Sequence, residues 1–183
     1  MKTDWMESIR EKDRRKNQIL FDRDTPCLTE LLAEMEKQSR LTLVRWVFDA
    51  MTTTLEMLHT RWPEETRPQE AFSRCWDWAK GNLRMPEAKR AILAAHAAAK
   101  DTQDPVCAAL CHAIGQGCST VHTGRHAPGL PFYELTALVR LYGLDACREV
   151  VEERISRYQE RLHFFAAHEQ DAGEDWAPFL LKE

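Results

Sequence analysis

Seven glycines and eight prolines are all the backbone punctuation that 183 residues receive, and nearly all stand where a helical run begins or ends. No stretch between them alternates apolar and polar side chains over six residues with β-branched enrichment, so strands have no foothold. The chain therefore reads as all-α, a single compact multi-helix bundle of about seven or eight helices spanning residues 1–183. Apolar residues make up 44% of it, and a chain of this length buries about 70% of its unfolded surface. That suffices for a core without disulfide or metal staples.

The clearest helix covers residues 41–61. Val44, Val47, Phe48, Met51, Leu55 and Leu58 recur at three- and four-residue spacing, with Arg45, Asp49, Thr52, Glu56 and Thr60 on the opposite face. A charged helix over residues 4–18 precedes it and is expected on the outside; a second helix opens at Thr25-Pro26. After Trp62-Pro63, Thr66 and Gln69 have the spacing of a capping box, and Phe72, Cys75, Trp76 and Ala79 form the buried stripe of a fourth helix closed by Gly81. The fifth opens near Pro86. Its alanine-rich run around His96 is apolar on every side, which predicts a central place. The sixth starts at Asp104-Pro105 and reaches about Thr123. It turns Val106, Leu110, Ala113, Ile114, Gly117 and Val121 inward, and His112, Gln116, Ser119, Thr120 and Thr123 outward. A loop over 124–131, a seventh helix over 132–142 and a long eighth helix after Asp145 complete the bundle. The tail, 169–183, is acidic but carries Trp176, Phe179, Leu180 and Leu181, which are able to dock.

Net charge is −4, and the acidic tail accounts for it, leaving a balanced body. Nucleic-acid binding needs a basic face, and none stands out; the cluster Arg10, Lys12, Arg14, Arg15, Lys16 is interrupted by Glu11 and Asp13. No run of 18 apolar residues offers a membrane span, and the charged N-terminal segment lacks the apolar core of a secretion signal. Six cysteines without a CxxC pair read as reduced core residues, and the expected location is the cytoplasm.

Histidines and cysteines are the candidates for chemistry. Cys107, Cys111, Cys118 and His122 share one arc of the sixth helix, but about 22 Å of helix axis separates the first from the last, too far for one zinc ion. The remaining metal reading takes Cys118 and His122 at i, i+4 together with His96. His96, His122 and His126 read as a polar cluster that fixes helix register, with a ligand site as the alternative. No phosphate-binding glycine loop, metalloprotease motif or serine-nucleophile elbow is present, and Gly115-Gln116-Gly117 falls inside a helix. Glu64 and Glu65 before Arg67 read as a solvated turn. Trp46, Trp62, Trp76 and Trp78 gather around one helix–turn–helix as core and rim, an exposed one being a partner anchor.

Three stretches carry a resemblance: WPEETRPQEAFSRCWDWAKG from position 62, EAKRAILAAHAAAK from 87, and AIGQGCSTVHTGRHAPGLPFYEL from 113. Together they resemble a family of small helical bacterial proteins called putative immunity proteins. Arg67, Pro68, Trp78, Gly81, His96, Gly115, Gln116, Thr120, His122 and His126 stand at matching positions, within a family-like core of 41–142. Lys100 stands where that pattern has arginine. The resemblance implies an all-helical fold and a cognate toxin as partner. It makes Gln116 and Arg67 site candidates beside His96, His122 and His126.

The sequence thus supports a non-catalytic cytoplasmic protein that binds and neutralises a toxin, without cofactor, nucleic acid or membrane. The alternative is a metal- or small-ligand-binding protein, an enzyme included, built on the histidines. A purely structural module that forms homo-oligomers is the third reading.

Overall fold

The computed structural model describes residues 4–173 and 175–182; Glu174 and Glu183 of the acidic tail lie outside them. Nine α-helices occur among the described residues, with no strand: α1 (Trp5–Arg14), α2 (Thr29–Met35), α3 (Arg40–Arg61), α4 (Arg67–Ala79), α5 (Met85–Ala98), α6 (Pro105–Ser119), α7 (Gly129–Tyr142), α8 (Cys147–Ala167) and α9 (Pro178–Leu181). Eight of them have seven residues or more. None is long and apolar enough to cross a membrane.

Local chemistry sets the ends. Ser39 caps α3 by accepting the Thr42 N–H at 3.1 Å, and Asp104 caps α6 through the Val106 N–H at 2.9 Å. Thr66 makes no capping hydrogen bond, contrary to its spacing with Gln69; the Glu65 carboxylate takes the Arg67 N–H instead, at 2.9 Å. The loop predicted over 124–131 is a short 3₁₀ turn, Gly124–His126, followed at once by α7. Pro131 lies in the first turn of α7, where its missing N–H leaves no partner unsatisfied.

The centre of the bundle is α6, which packs on α3, α4, α5 and α7. Val106, Leu110, Ala113, Ile114 and Val121 are buried as their spacing predicts, but Thr120 is buried too. Because α6 ends at Ser119, the chain tightens there and the Thr120 hydroxyl turns back to donate to the Gln116 carbonyl at 3.3 Å. The alanine-rich α5 is not central. It lies against α4 and α6 with Leu93 57% exposed, its small side chains serving close approach on one face only. In α4 the buried tryptophan is Trp78, whereas Trp76 is 37% exposed.

The termini are fastened to this body. The charged α1 buries Trp5, Met6 and Ile9, and Trp5 Nε1 donates to Glu152 of α8 at 3.1 Å. The tail docks through Trp176 and Leu180, with the Ala177 N–H donating to the Ala79 carbonyl at 2.8 Å, while Leu181 stays exposed. Two tail acids face partners on the body: Asp175 pairs with Lys80 at 2.9 Å, and Glu169 accepts the Ser39 hydroxyl. Fewer tail charges are left for a basic partner than the sequence suggests.

Between α3, α7 and α8 lies a wholly buried acid. Glu134 accepts hydrogen bonds from Arg154 Nε at 3.0 Å, from the Thr54 hydroxyl at 3.2 Å and from the Tyr158 hydroxyl, so every side of its carboxylate is occupied.

Candidate functional site

One edge of α6 gathers most of the candidate side chains. His112 and Gln116 stand one turn apart on it, both half-buried, with α5 on one side and the start of α7 on the other. His96 of α5 reaches across, and its Nδ1 lies 2.8 Å from Nδ1 of His112. What permits that approach is Gly115: a Cβ there would stand 2.4 Å from His96 Nε2. Gly129, at the start of α7, leaves the same kind of room for Gln116, whose Oε1 is 3.1 Å from His126 Nδ1. The Tyr133 ring lies 5.0 Å from that of His112, and Gln18 approaches His112 Nε2 at 3.5 Å.

These contacts dictate protonation. Two Nδ1 atoms in hydrogen-bond contact need one proton between them, so one ring donates and the other accepts, and the accepting ring is neutral. Burial pushes His96 down to about 4, with the neighbouring rings His112 and His126 adding to the shift. Burial lowers His112 as well, helped by Lys100, and lowers His126, helped by His122. All three are neutral imidazoles at neutral pH.

Since the unfolded chain titrates its histidines near 6.5, it binds protons that the folded chain refuses as pH falls below that value. Stability is therefore undiminished well above pH 6.5 and declines toward about pH 4, the lowered carboxylates adding their own loss below about pH 5. Urea midpoints at about pH 7 and pH 4.5 should show this loss, and His96→Gln should flatten the profile; an unchanged slope would contradict the assignment.

The other candidates lie elsewhere. His122 is exposed, with its ring stacked 6.5 Å from that of Trp78 and its carbonyl accepting from Arg40 at 2.8 Å. Cys118 is fully buried beside Cys75, and the burial raises its thiol pKa. Cys118, His122 and His96 are thus not a ligand set, and among the described residues no three His, Cys, Asp or Glu side chains are arranged to hold a metal ion. All six cysteines are free, and burial pushes Cys27 and Cys111 up to about 12, far from thiolate chemistry.

Arg67 makes a different contact. Its fork grips Glu65 at 2.9 and 2.6 Å and reaches Asp101 at 2.8 Å, tying the turn after α3 to the end of α5. The Glu65 side chain is only 7% exposed, so it is a clamp partner and not part of a solvated turn; its hydrogen bond to Arg67 holds it below the ordinary glutamate range.

His112 and Tyr133 were not candidates on sequence grounds. For His112 the signal was its i, i+4 spacing with Gln116 on one face of α6; Tyr133, on α7, had none.

A second concave region lies between α3, α4, α8 and the tail. Phe48, Phe72, Trp76, Phe165 and Trp176 line a cleft of about 630 Å³ with Asp49 and Asp77 at its margin. Phe48 meets Phe72 and Trp76 edge-on at 5.0 and 5.1 Å, and Trp76 meets Trp176 at 5.5 Å. The tryptophans around the turn from α3 to α4 divide into core and rim, Trp46 and Trp78 buried and Trp76 37% exposed. Trp46 packs on Tyr158, Trp78 on Phe179, and Trp76 borders the cleft.

Fold and site together define an all-helical protein with a neutral histidine–glutamine edge and a separate aromatic cleft. The family model described as "Imm-5 like putative immunity protein" matches residues 33–161, and the chain belongs to that family. The match extends beyond the 41–142 core on both sides, taking in the end of α2 and much of α8. No curated protein and no solved structure matches the chain.

Proposed function

We propose that this chain is a cytoplasmic immunity protein that neutralises a cognate toxin by binding and covering it, without chemistry of its own. The observation that carries this reading is the family match over residues 33–161. The side-chain arrangement supports it. His96 and His112 satisfy one another, and His126 is held by Gln116, as register-fixing groups are. The aromatic cleft supplies what binding surfaces use, rigid rings of which Trp76 is 37% exposed.

Co-expression with candidate toxins encoded beside this gene tests the reading. A stable complex and restored growth are expected, and Trp76→Ala should weaken the complex at least about tenfold, as truncation of a hot-spot aromatic does. Absence of both complex and rescue would overturn the proposal.

A second reading is favoured by one observation, the half-exposure of the His112–Gln116 edge. In it a small polar ligand binds at that edge, beside His112, Gln116 and His126. Mass analysis of the purified native protein for a bound small molecule, lost in His112→Ala and kept in His122→Ala, separates the two.

A further inference from the structure

Three arginines of α8, Arg154, Arg157 and Arg161, border a notch of about 70 Å³ that also touches Thr52 and Thr53 of α3. Their i, i+3, i+7 spacing puts them along one face over about 10 Å of helix axis. Three cations this close need acids, and the fold supplies two. Arg154 is paired with the buried Glu134 at 2.8 Å, and Arg161 grips Asp49 through two bonds of 2.9 Å. Among the described residues the third, Arg157, has only the exposed Glu160, at 3.5 Å. Among the described residues, Nη1 of Arg154, Nη1 of Arg161 and the Thr53 hydroxyl form no hydrogen bond. The notch thus has unused donors from both helices and a cation in want of a strong partner.

We propose that this notch binds an oxyanion, a phosphate-like group or a carboxylate, held chiefly by Arg157. Free Nη1 donors of Arg154 and Arg161 and the Thr53 hydroxyl complete the contact. A guanidinium presents two parallel N–H donors to such a group, which a lysine at the same position does not. Because Arg154 and Arg161 are already fixed by Glu134 and Asp49, the flanking donors stand in place before the anion arrives. The inference does not depend on the immunity reading.

Calorimetric titration of the full chain with inorganic phosphate, sulfate and glutarate, at constant ionic strength against chloride, tests it. Saturable one-to-one binding is expected. Arg157→Ala, an exposed position whose loss leaves folding intact, should weaken binding at least about tenfold, and Arg157→Lys should restore only part of it. Phosphate and sulfate binding without glutarate would identify a free inorganic oxyanion as ligand. Glutarate binding alone, or binding of all three, would identify the carboxylate chemistry that a partner's acidic side chain offers. No saturable binding, or equal affinity in Arg157→Ala, would overturn the proposal.

Discussion

Glu134→Ala is expected to cost about 3–5 kcal/mol of folding stability, a loss typical of breaking a buried ion pair from one side. The substitution removes the acceptor for three donors at once. Arg154 keeps its charge in a setting where its side chain is 14% exposed, and the hydroxyls of Tyr158 and Thr54 lose a common partner. The charge itself, more than the missing methylenes, makes the change severe. Replacing both members by apolar residues, Glu134→Leu with Arg154→Met, should therefore recover most of the loss. Chemical denaturation of the two single variants and the double variant decides this. A double variant as unstable as Glu134→Ala would mean that packing and not charge dominates.

Gly115→Ala should destabilise the protein by about 1–3 kcal/mol, although alanine is the better helix former by about 1 kcal/mol. The sign is decided by the His96 ring. Three of its atoms would lie within 2.4–2.8 Å of the new methyl, and the ring cannot retreat without breaking its contact with His112. In a His96→Ala background the same substitution should turn neutral or stabilising, and the double-mutant cycle measures the difference. An equal cost in both backgrounds would assign it to another neighbour.

The fold was largely legible from the sequence because helical periodicity and proline or glycine punctuation are local signals. Residues 41–61 and α3 (Arg40–Arg61) differ by one residue at the start. What failed was decided by neighbours. Thr120 turned inward because α6 stopped early, and α5 lies outside because apolar composition on every side does not say which face another helix covers. The candidate site divides in the same way. His96, Gln116 and His126 are brought to one edge, but the partner of His96 is His112, a residue that periodicity assigned to solvent. Arg67 and His122 stand in other contacts, Arg67 with acids 2 residues before it and far along the chain. The Glu134–Arg154–Tyr158 cluster left no sequence signal, since an acid in an apolar helix gives no clue to a partner on the next one.

If protection is achieved by contact, the imidazoles serve the fold alone. The direct measurement is growth protection, against whichever toxin the unaltered protein neutralises, by a variant carrying His96→Gln, His112→Gln and His126→Gln, confirmed to be folded by its unfolding transition. Full protection together with an intact toxin complex is the predicted result. A folded variant that still binds the toxin but leaves the cells unprotected would show that the histidines do chemistry, and would contradict it.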